Sequence, residues 1–498
     1  MSAIVPRWEW RAFDAGFGAA EAEVEALASE DAAESEELYL LSGEAGGANV
    51  KVRADLMDVK ILREVDEHGL ERWEPTLKEG FPLSEDAVRN VWEALGVQAA
   101  PSTQEASSLE QLLGALTTAS DGVRPVTIHK RRRRFSIDGC MGELTDVTAG
   151  ERSIRTVAVE SEDAEAVVRV VHRLGLDAFV NTSYPRGLLA LLDGVPPRYA
   201  VIDTGTNSVK FDVSERGADG TWRALVDRAD VTRLGEGVER NGEISDEAAE
   251  RTAAAIAGMV DEARGHGVRA IAAVGTAGMR SARNREDVLE TIRRRGGVTV
   301  EVISGEDEAR LAYLAVRSGL GAIEGSLVVF DTGGGSSQFT FGEGPDVLER
   351  FSVDVGAVRF TERFGLERRV EPDVLGEALA AISTDLSKLD GRASPDTLVG
   401  MGGAITNMTA VMLELETYDP DRVQGAALDR AEVDRQIERY RSSDADERRA
   451  IPGLQPKRAE VILAGACIVR TVMGKLGKDS LTVSDRGLRH GVLAERFG

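Results

Sequence analysis

Cysteine is scarce: Cys140 and Cys467 lie far apart in a chain of 498 residues. That excludes a disulfide framework and a cysteine-rich metal site, and it points to a reducing compartment. No stretch approaches the roughly eighteen uninterrupted apolar residues of a membrane span, and residues 1–10 lack the apolar core of a signal peptide, so the expected location is the cytoplasm. Positive charge is also short. Sixty Lys and Arg stand against 85 Asp and Glu, a formal charge of −25, which disfavours bulk attraction to nucleic acid or to an anionic membrane. A polyanionic partner must therefore meet a local basic track. What is present suffices for real cores: 42% of residues are hydrophobic and 29% charged, too balanced for a disordered chain, and at roughly 150 residues per domain the length predicts about three domains.

The texture changes along the chain. Residues 7–192 run in short alternating segments, with 49–55, 59–65 and 126–135 predicted as strands of an antiparallel sheet. The acidic stretch 21–37 reads as a solvated helix or loop, and 99–108 as a loop. Gly194-Val195-Pro196-Pro197 is the predicted linker, because consecutive prolines block a helix and stiffen the backbone. Beyond it, buried strands alternate with long helices, among them an amphipathic helix over 245–264.

Two segments of this second part read strand, turn, strand. The first turns through Asp203-Thr204-Gly205-Thr206-Asn207-Ser208, with Lys210 on the return strand; the second turns through Asp331-Thr332-Gly333-Gly334-Gly335-Ser336. At an offset of 331 − 203 = 128 the pairs Thr204/Thr332, Gly205/Gly333, Ser208/Ser336 and Phe211/Phe339 coincide, as in a duplicated hairpin. A turn without bulky side chains exposes successive backbone N–H groups and forms an anion-binding nest. Asp203 and Asp331 would repel a phosphate there unless a divalent cation lay between, so they are the expected Mg²⁺ positions.

The second part resembles the exopolyphosphatase/guanosine pentaphosphate phosphohydrolase (Ppx/GppA) family, within the actin-like ATPase superfamily. The resemblance runs through 201–208, 275–280 (Gly-Thr-Ala-Gly-Met-Arg), 303–311, 331–336, 355–359, 402–404 and 483–489. It implies two ribonuclease-H-like lobes, over 198–325 and 326–498, closing on a phosphate cleft. It also implies no additional helical domain, since the chain stops just after the last motif. By resemblance Glu308 is the general base and Arg280 contacts a phosphate oxygen. Gly205, Thr206, Asn207, Ser208, Lys210, Gly333, Gly334, Gly335 and Ser336 bind phosphates. Glu308 has a local alternative, since Ser304 and Asp307 form a capping box and acidic residues suit a first helical turn. Gly402 and Gly403 are either a third close backbone approach or a strand-to-helix turn. Where the family carries a second metal-binding glutamate, this chain has Gln338, whose uncharged amide ligates a cation more weakly.

In the first part Lys51 with Arg53, Lys60 with Arg63, and Lys130, Arg132 with Arg134 fall on successive strands. Period-2 geometry turns an alternating set to one face, so these residues either line a basic interior or form a solvated edge. Residues 7–192 resemble the CYTH, or triphosphate tunnel, domains, whose closed antiparallel barrel binds triphosphates among basic residues with acidic metal ligands. Their opening Glu-x-Glu-x-Lys signature is met here by Arg7-Trp8-Glu9-Trp10-Arg11, which keeps one glutamate. Glu9 and Glu160 are the expected metal residues of this domain, with Glu143 or Asp146 as further partners.

The expectation is therefore an α+β and α/β multidomain protein: a CYTH-like tunnel domain over 1–194, then two actin-like lobes. It implies an Mg²⁺-dependent exopolyphosphatase acting on inorganic polyphosphate, with guanosine pentaphosphate as the rival substrate. A non-catalytic polyphosphate or nucleotide sensor is the rival from another class. No nucleic acid or membrane partner is expected, and a homodimer stays open.

Overall fold

The computed structural model describes residues 6–29, 31–43, 47–66, 68–98, 105–321, 323–344 and 346–498. The chain forms two compact units, Met1–Pro197 and Arg198–Gly498.

The first unit is built on eight strands: β1 (Arg7–Asp14), β2 (Ala33–Ser42), β3 (Ala48–Arg53), β4 (Leu56–Val65), β5 (Glu71–Gly80), β6 (Val123–Ile137), β7 (Cys140–Ala149) and β8 (Arg152–Ser161). They close in the order β1-β5-β4-β3-β2-β6-β7-β8, all neighbours antiparallel, with β8 paired back to β1. The alternation in these strands has the reverse sense to that of a packed barrel. Val50 and Val52 turn outward into a core with Val88, Val91, Leu112 and Leu116 of the helices Glu85–Ala94 and Leu109–Ala119. Lys51 and Arg53, between and beside them, turn into the lumen. Ser84 and Ser108 start the two helices by accepting hydrogen bonds from Ala87 and Gln111 N–H.

The acidic stretch 21–37 is not one solvated element. Its first part lies in the helix Gly18–Leu27 and its last part in β2, where period-2 alternation carries Glu37 inward to 1% exposure. Of the predicted loop 99–108, residues 99–104 lie outside the described residues, while Ala106 bridges to Leu83.

The second unit carries two mixed sheets. β9 (Arg198–Thr204), β10 (Ser208–Arg216), β11 (Trp222–Val231), β12 (Ala270–Gly275) and β13 (Val300–Val302) run in the order β11-β10-β9-β12-β13. β14 (Ser326–Thr332), β15 (Ser337–Glu343), β16 (Asp346–Val353), β17 (Thr397–Met401), β18 (Ala427–Asp429) and β19 (Ser480–Ser484) run β16-β15-β14-β17-β19-β18. Each sheet opens with an antiparallel hairpin flanked by a third antiparallel strand on one side and a parallel strand on the other. This is the actin-like arrangement of two related α/β lobes.

Long crossovers return the parallel strands, as parallel pairing requires. One includes the helix Asp246–Gly265, which Ser245 caps through Ala248 N–H. The closing helix Leu488–Phe497 packs against β9, and its Phe497 stacks on Tyr199 with ring centroids 4.5 Å apart. A division of the lobes at 325/326 thus assigns to the second lobe a helix that packs on the first. Among the described residues, no helix is long and apolar enough to cross a membrane.

Candidate active site

The two glycine-rich hairpins have the same internal geometry. Gly205 N–H donates to Ser208 O at 3.1 Å and Gly333 N–H donates to Ser336 O at 3.0 Å. Asp203 pairs in register with Lys210, and Asp331 with Gln338. The hairpins meet tip to tip. A Cβ on Gly334 would stand 3.2 Å from the Thr206 side chain, and one on Gly335 2.8 Å from Thr206 Oγ1, so glycine permits the approach.

Between the tips lies a cavity of about 60 Å³ lined by Asp203, the 205–208 turn, Lys210, Glu308, Asp331, the 332–336 turn, Gly402, Gly403 and Arg458. That is room for a few water molecules.

Gly402 follows β17, which runs parallel to β14. Its φ of +98° and the 2.4 Å separation between a Cβ placed there and Asp331 Oδ1 resolve the two sequence readings: the residue is both the turn into the helix Gly403–Met412 and a close backbone approach. Glu308 stands in the first turn of the helix Gly305–Leu320, where Ser304 Oγ accepts from Asp307 N–H at 3.0 Å. The cap leaves Glu308 free to face the cleft, 8% exposed. Burial pushes its carboxyl up to about 7, with Arg280 opposing and Asp331 and Asp203 adding to the rise.

Arg280 is not among the side chains lining the cavity. Its Nη1 donates to Glu308 Oε2 at 2.9 Å and to Ile303 O at 3.0 Å, so it orients the glutamate. Gln338 lies outside the cavity lining, and its Nε2 donates to Ser336 Oγ at 2.6 Å and Ser352 Oγ at 3.2 Å, pinning the second hairpin, while its Oε1 is buried without a hydrogen-bond partner among the described residues.

Asp203 and Asp331 are buried at 2% and 5% exposure and both face the cavity. Lys210 Nζ reaches Asp203 Oδ2 at 3.1 Å. Burial raises the Asp331 carboxyl, Lys210 opposing and Asp203 adding to the rise. Three carboxylates against the two cations Lys210 and Arg458 cannot by themselves neutralise an entering phosphate. Two buried carboxylates beside a phosphate-sized nest fit a hard divalent cation that takes its remaining oxygens from water and substrate.

Arg458 was not legible in the sequence. It sits in the short turn Pro456–Arg458, reaches Ser208 Oγ at 3.4 Å, and belongs to no motif or periodic segment.

Asp212, Asp227 and His490 form a group of potential metal ligands that does not line the cavity. His490 Nδ1 accepts the Gly487 N–H at 3.1 Å, which leaves Nε2 as the protonated nitrogen, and Arg489 grips both Asp227 oxygens at 2.8 Å. His490 Nε2 stands 3.6 Å from Asp227 and 4.0 Å from Asp212, beyond hydrogen-bond distance.

In the first unit the barrel encloses a basin of about 780 Å³ lined by Lys51, Arg53, Lys60, Lys130, Arg132 and Arg134, together with Arg7, Arg11, Glu9 and Glu160. Arg63 is the exception. Three positions from Lys60 it has the opposite parity, and it pairs outside with Glu74 at 2.5 Å. Beside the basic strands lies Glu37, with no exposed side-chain surface, holding Lys130 at 2.9 Å, Arg132 at 3.2 Å and Lys51 at 3.3 Å. Those cations hold its carboxyl far below the usual range despite its burial. The inward parity of β2 was the missed signal for this residue.

Paired glycine hairpins over a buried glutamate whose carboxyl is raised toward neutrality make a site suited to phosphate chemistry. The comparisons place the chain further. The Ppx/GppA phosphatase family model matches residues 213–497, and the chain belongs to that family of phosphoanhydride hydrolases. It is 29% identical over 326 residues to "Exopolyphosphatase 2" of Mycobacterium tuberculosis, covering 60% of this chain and 99% of that relative. It is also 29% identical to the "Guanosine-5'-triphosphate,3'-diphosphate pyrophosphatase" of Photobacterium profundum, over 60% of this chain and 59% of that protein. The crystal structure of the Aquifex aeolicus family member superposes with a TM-score of 0.52 at 34% identity, covering 60% of this chain and 97% of its own.

Proposed function

We propose that the chain is an Mg²⁺-dependent exopolyphosphatase of the cytoplasm that releases orthophosphate from the end of inorganic polyphosphate, and that its CYTH-like barrel holds the polyanion. The observation that carries the reading is Glu308, whose carboxyl is poised near neutrality beside both phosphate nests. The hairpin N–H groups and Arg458 hold the terminal phosphoryl group. A water attacks its phosphorus and the bridging P–O bond breaks. Glu308 accepts the proton that the water loses, and the electron pair leaves with the shortened chain. Arg280 keeps the glutamate aimed. Asp203 and Asp331 would hold the Mg²⁺, which when bound offsets charge on the phosphate oxygens.

The relatives' names support two substrates. The basic basin of the barrel, far larger than the cleft, favours the long inorganic chain over the alarmone. Measuring kcat/KM for long-chain polyphosphate and for guanosine pentaphosphate separates them. A higher value for the nucleotide overturns the assignment.

A further inference from the structure

The carboxylates expected to hold a metal in the barrel are already answered by guanidinium groups. Buried Arg11 lies between Glu9 Oε1 at 2.7 Å and Glu143 Oε1 at 3.0 Å. Glu160, the register partner of Glu9 across β1 and β8, takes Arg7 at 3.2 Å. Arg132 joins Glu143 at 3.1 Å to Glu37 at 3.2 Å. Burial works against charge on Glu9 and Glu143, yet Arg11 and neighbouring cations hold both carboxyls below the ordinary range, Glu143 at about 2.

A divalent ion would have to displace Arg11, leaving a buried guanidinium without its counter-ions, which is strongly unfavourable. Among the described residues, no three acidic, histidine or cysteine side chains of the barrel converge on a point. Glu9 and Glu160 therefore do not fit the metal role that the resemblance implies. Positive charge is nevertheless in excess in the basin, whose lining carries nine Lys and Arg against five Asp and Glu.

We infer that the barrel is a receptor for linear polyphosphate that needs no divalent cation and does not hydrolyse its ligand, the guanidinium groups of Arg11 and Arg132 standing where a metal would otherwise neutralise the acidic side chains. The inference rests on the reading of the barrel as the polyanion holder.

The test uses the full chain carrying Glu308→Gln, titrated calorimetrically with long-chain polyphosphate in EDTA and in Mg²⁺. It is repeated with Arg53→Glu and Lys60→Glu added; both positions line the basin. The expected result is a Kd in EDTA within about threefold of the Mg²⁺ value, and a loss of about tenfold or more on charge reversal in both buffers. Barrel-dependent binding that appears only with Mg²⁺ overturns the inference and leaves the barrel reading intact. Binding indifferent to Arg53→Glu and Lys60→Glu in both buffers overturns the reading and the inference together. Release of orthophosphate from tripolyphosphate by the Glu308→Gln chain, lost on charge reversal, contradicts the non-hydrolysing part.

Discussion

Lys210 and Gln338 occupy one position in two copies of a hairpin: each is the register partner of the aspartate that leads its copy, Asp203 or Asp331. The first copy places an ammonium beside its carboxylate, and the second places an amide that ties down the turn serine. The duplicated backbone thus carries divided labour. Lys210→Gln frees Asp203 from a competing cation. Half-saturation by Mg²⁺ is expected to fall while KM for polyphosphate rises, both read from steady-state rates; unchanged constants would detach Lys210 from the site.

Gln338→Glu sets a third carboxylate beside Asp331, whose carboxyl is already raised by burial. The thermal midpoint without divalent cation is expected to fall by several degrees, and Mg²⁺ to restore more of it than it adds to the parent protein. Equal stabilisation of both proteins by Mg²⁺ contradicts a cation between Asp203 and Asp331.

Arg280 opposes the rise of the Glu308 carboxyl. A base works when deprotonated, so the rate climbs with pH through its pKa, at or below about 7 once a cation adds positive charge. Arg280→Ala removes the opposing charge, and the acid limb of kcat/KM is expected to move up by about one pH unit, with kcat reduced. A limb that stays in place contradicts the positioning role.

Gly402→Ala puts a Cβ against Asp331 Oδ1 at a φ of +98°. The aspartate must move, and kcat is expected to drop about 10²-fold or more with the fold intact by circular dichroism. Near-normal turnover would show that Asp331 tolerates displacement.

Asp212, fully buried, has its carboxyl raised by burial to about 6 from an ordinary 3.8. The folded state therefore binds the proton more tightly than the unfolded state between those values, and this group's contribution to stability falls as pH rises through that window. Asp212→Asn keeps an acceptor for Ser214 and removes the titration. Relative to the parent protein it is expected to gain up to about 2 kcal/mol between pH 4 and pH 7, measured by denaturant unfolding. A gain independent of pH contradicts the assignment.

Much of the geometry of the candidate site was legible in the sequence because it is local. A hairpin brings Asp203 within reach of Lys210 in seven residues, and a capped helix start fixes Glu308 near Ser304. Arg458 was not legible, since it reaches Ser208 across 250 positions from a turn with no periodicity. Nor was Glu37, which composition merged with a solvated acidic stretch although strand parity turns it inward. Parity also removes Arg63 from the basin, and Arg7, standing where the tunnel signature has its first glutamate, pairs with Glu160.

The central claim is tested most directly by orthophosphate release from long-chain polyphosphate in Mg²⁺, comparing the intact protein with Glu308→Gln while binding is followed in parallel. The account predicts release by the intact protein and a loss of about 10³-fold or more in the variant, with polyphosphate still bound. Binding without release by the intact protein, or release that survives Glu308→Gln, would contradict it.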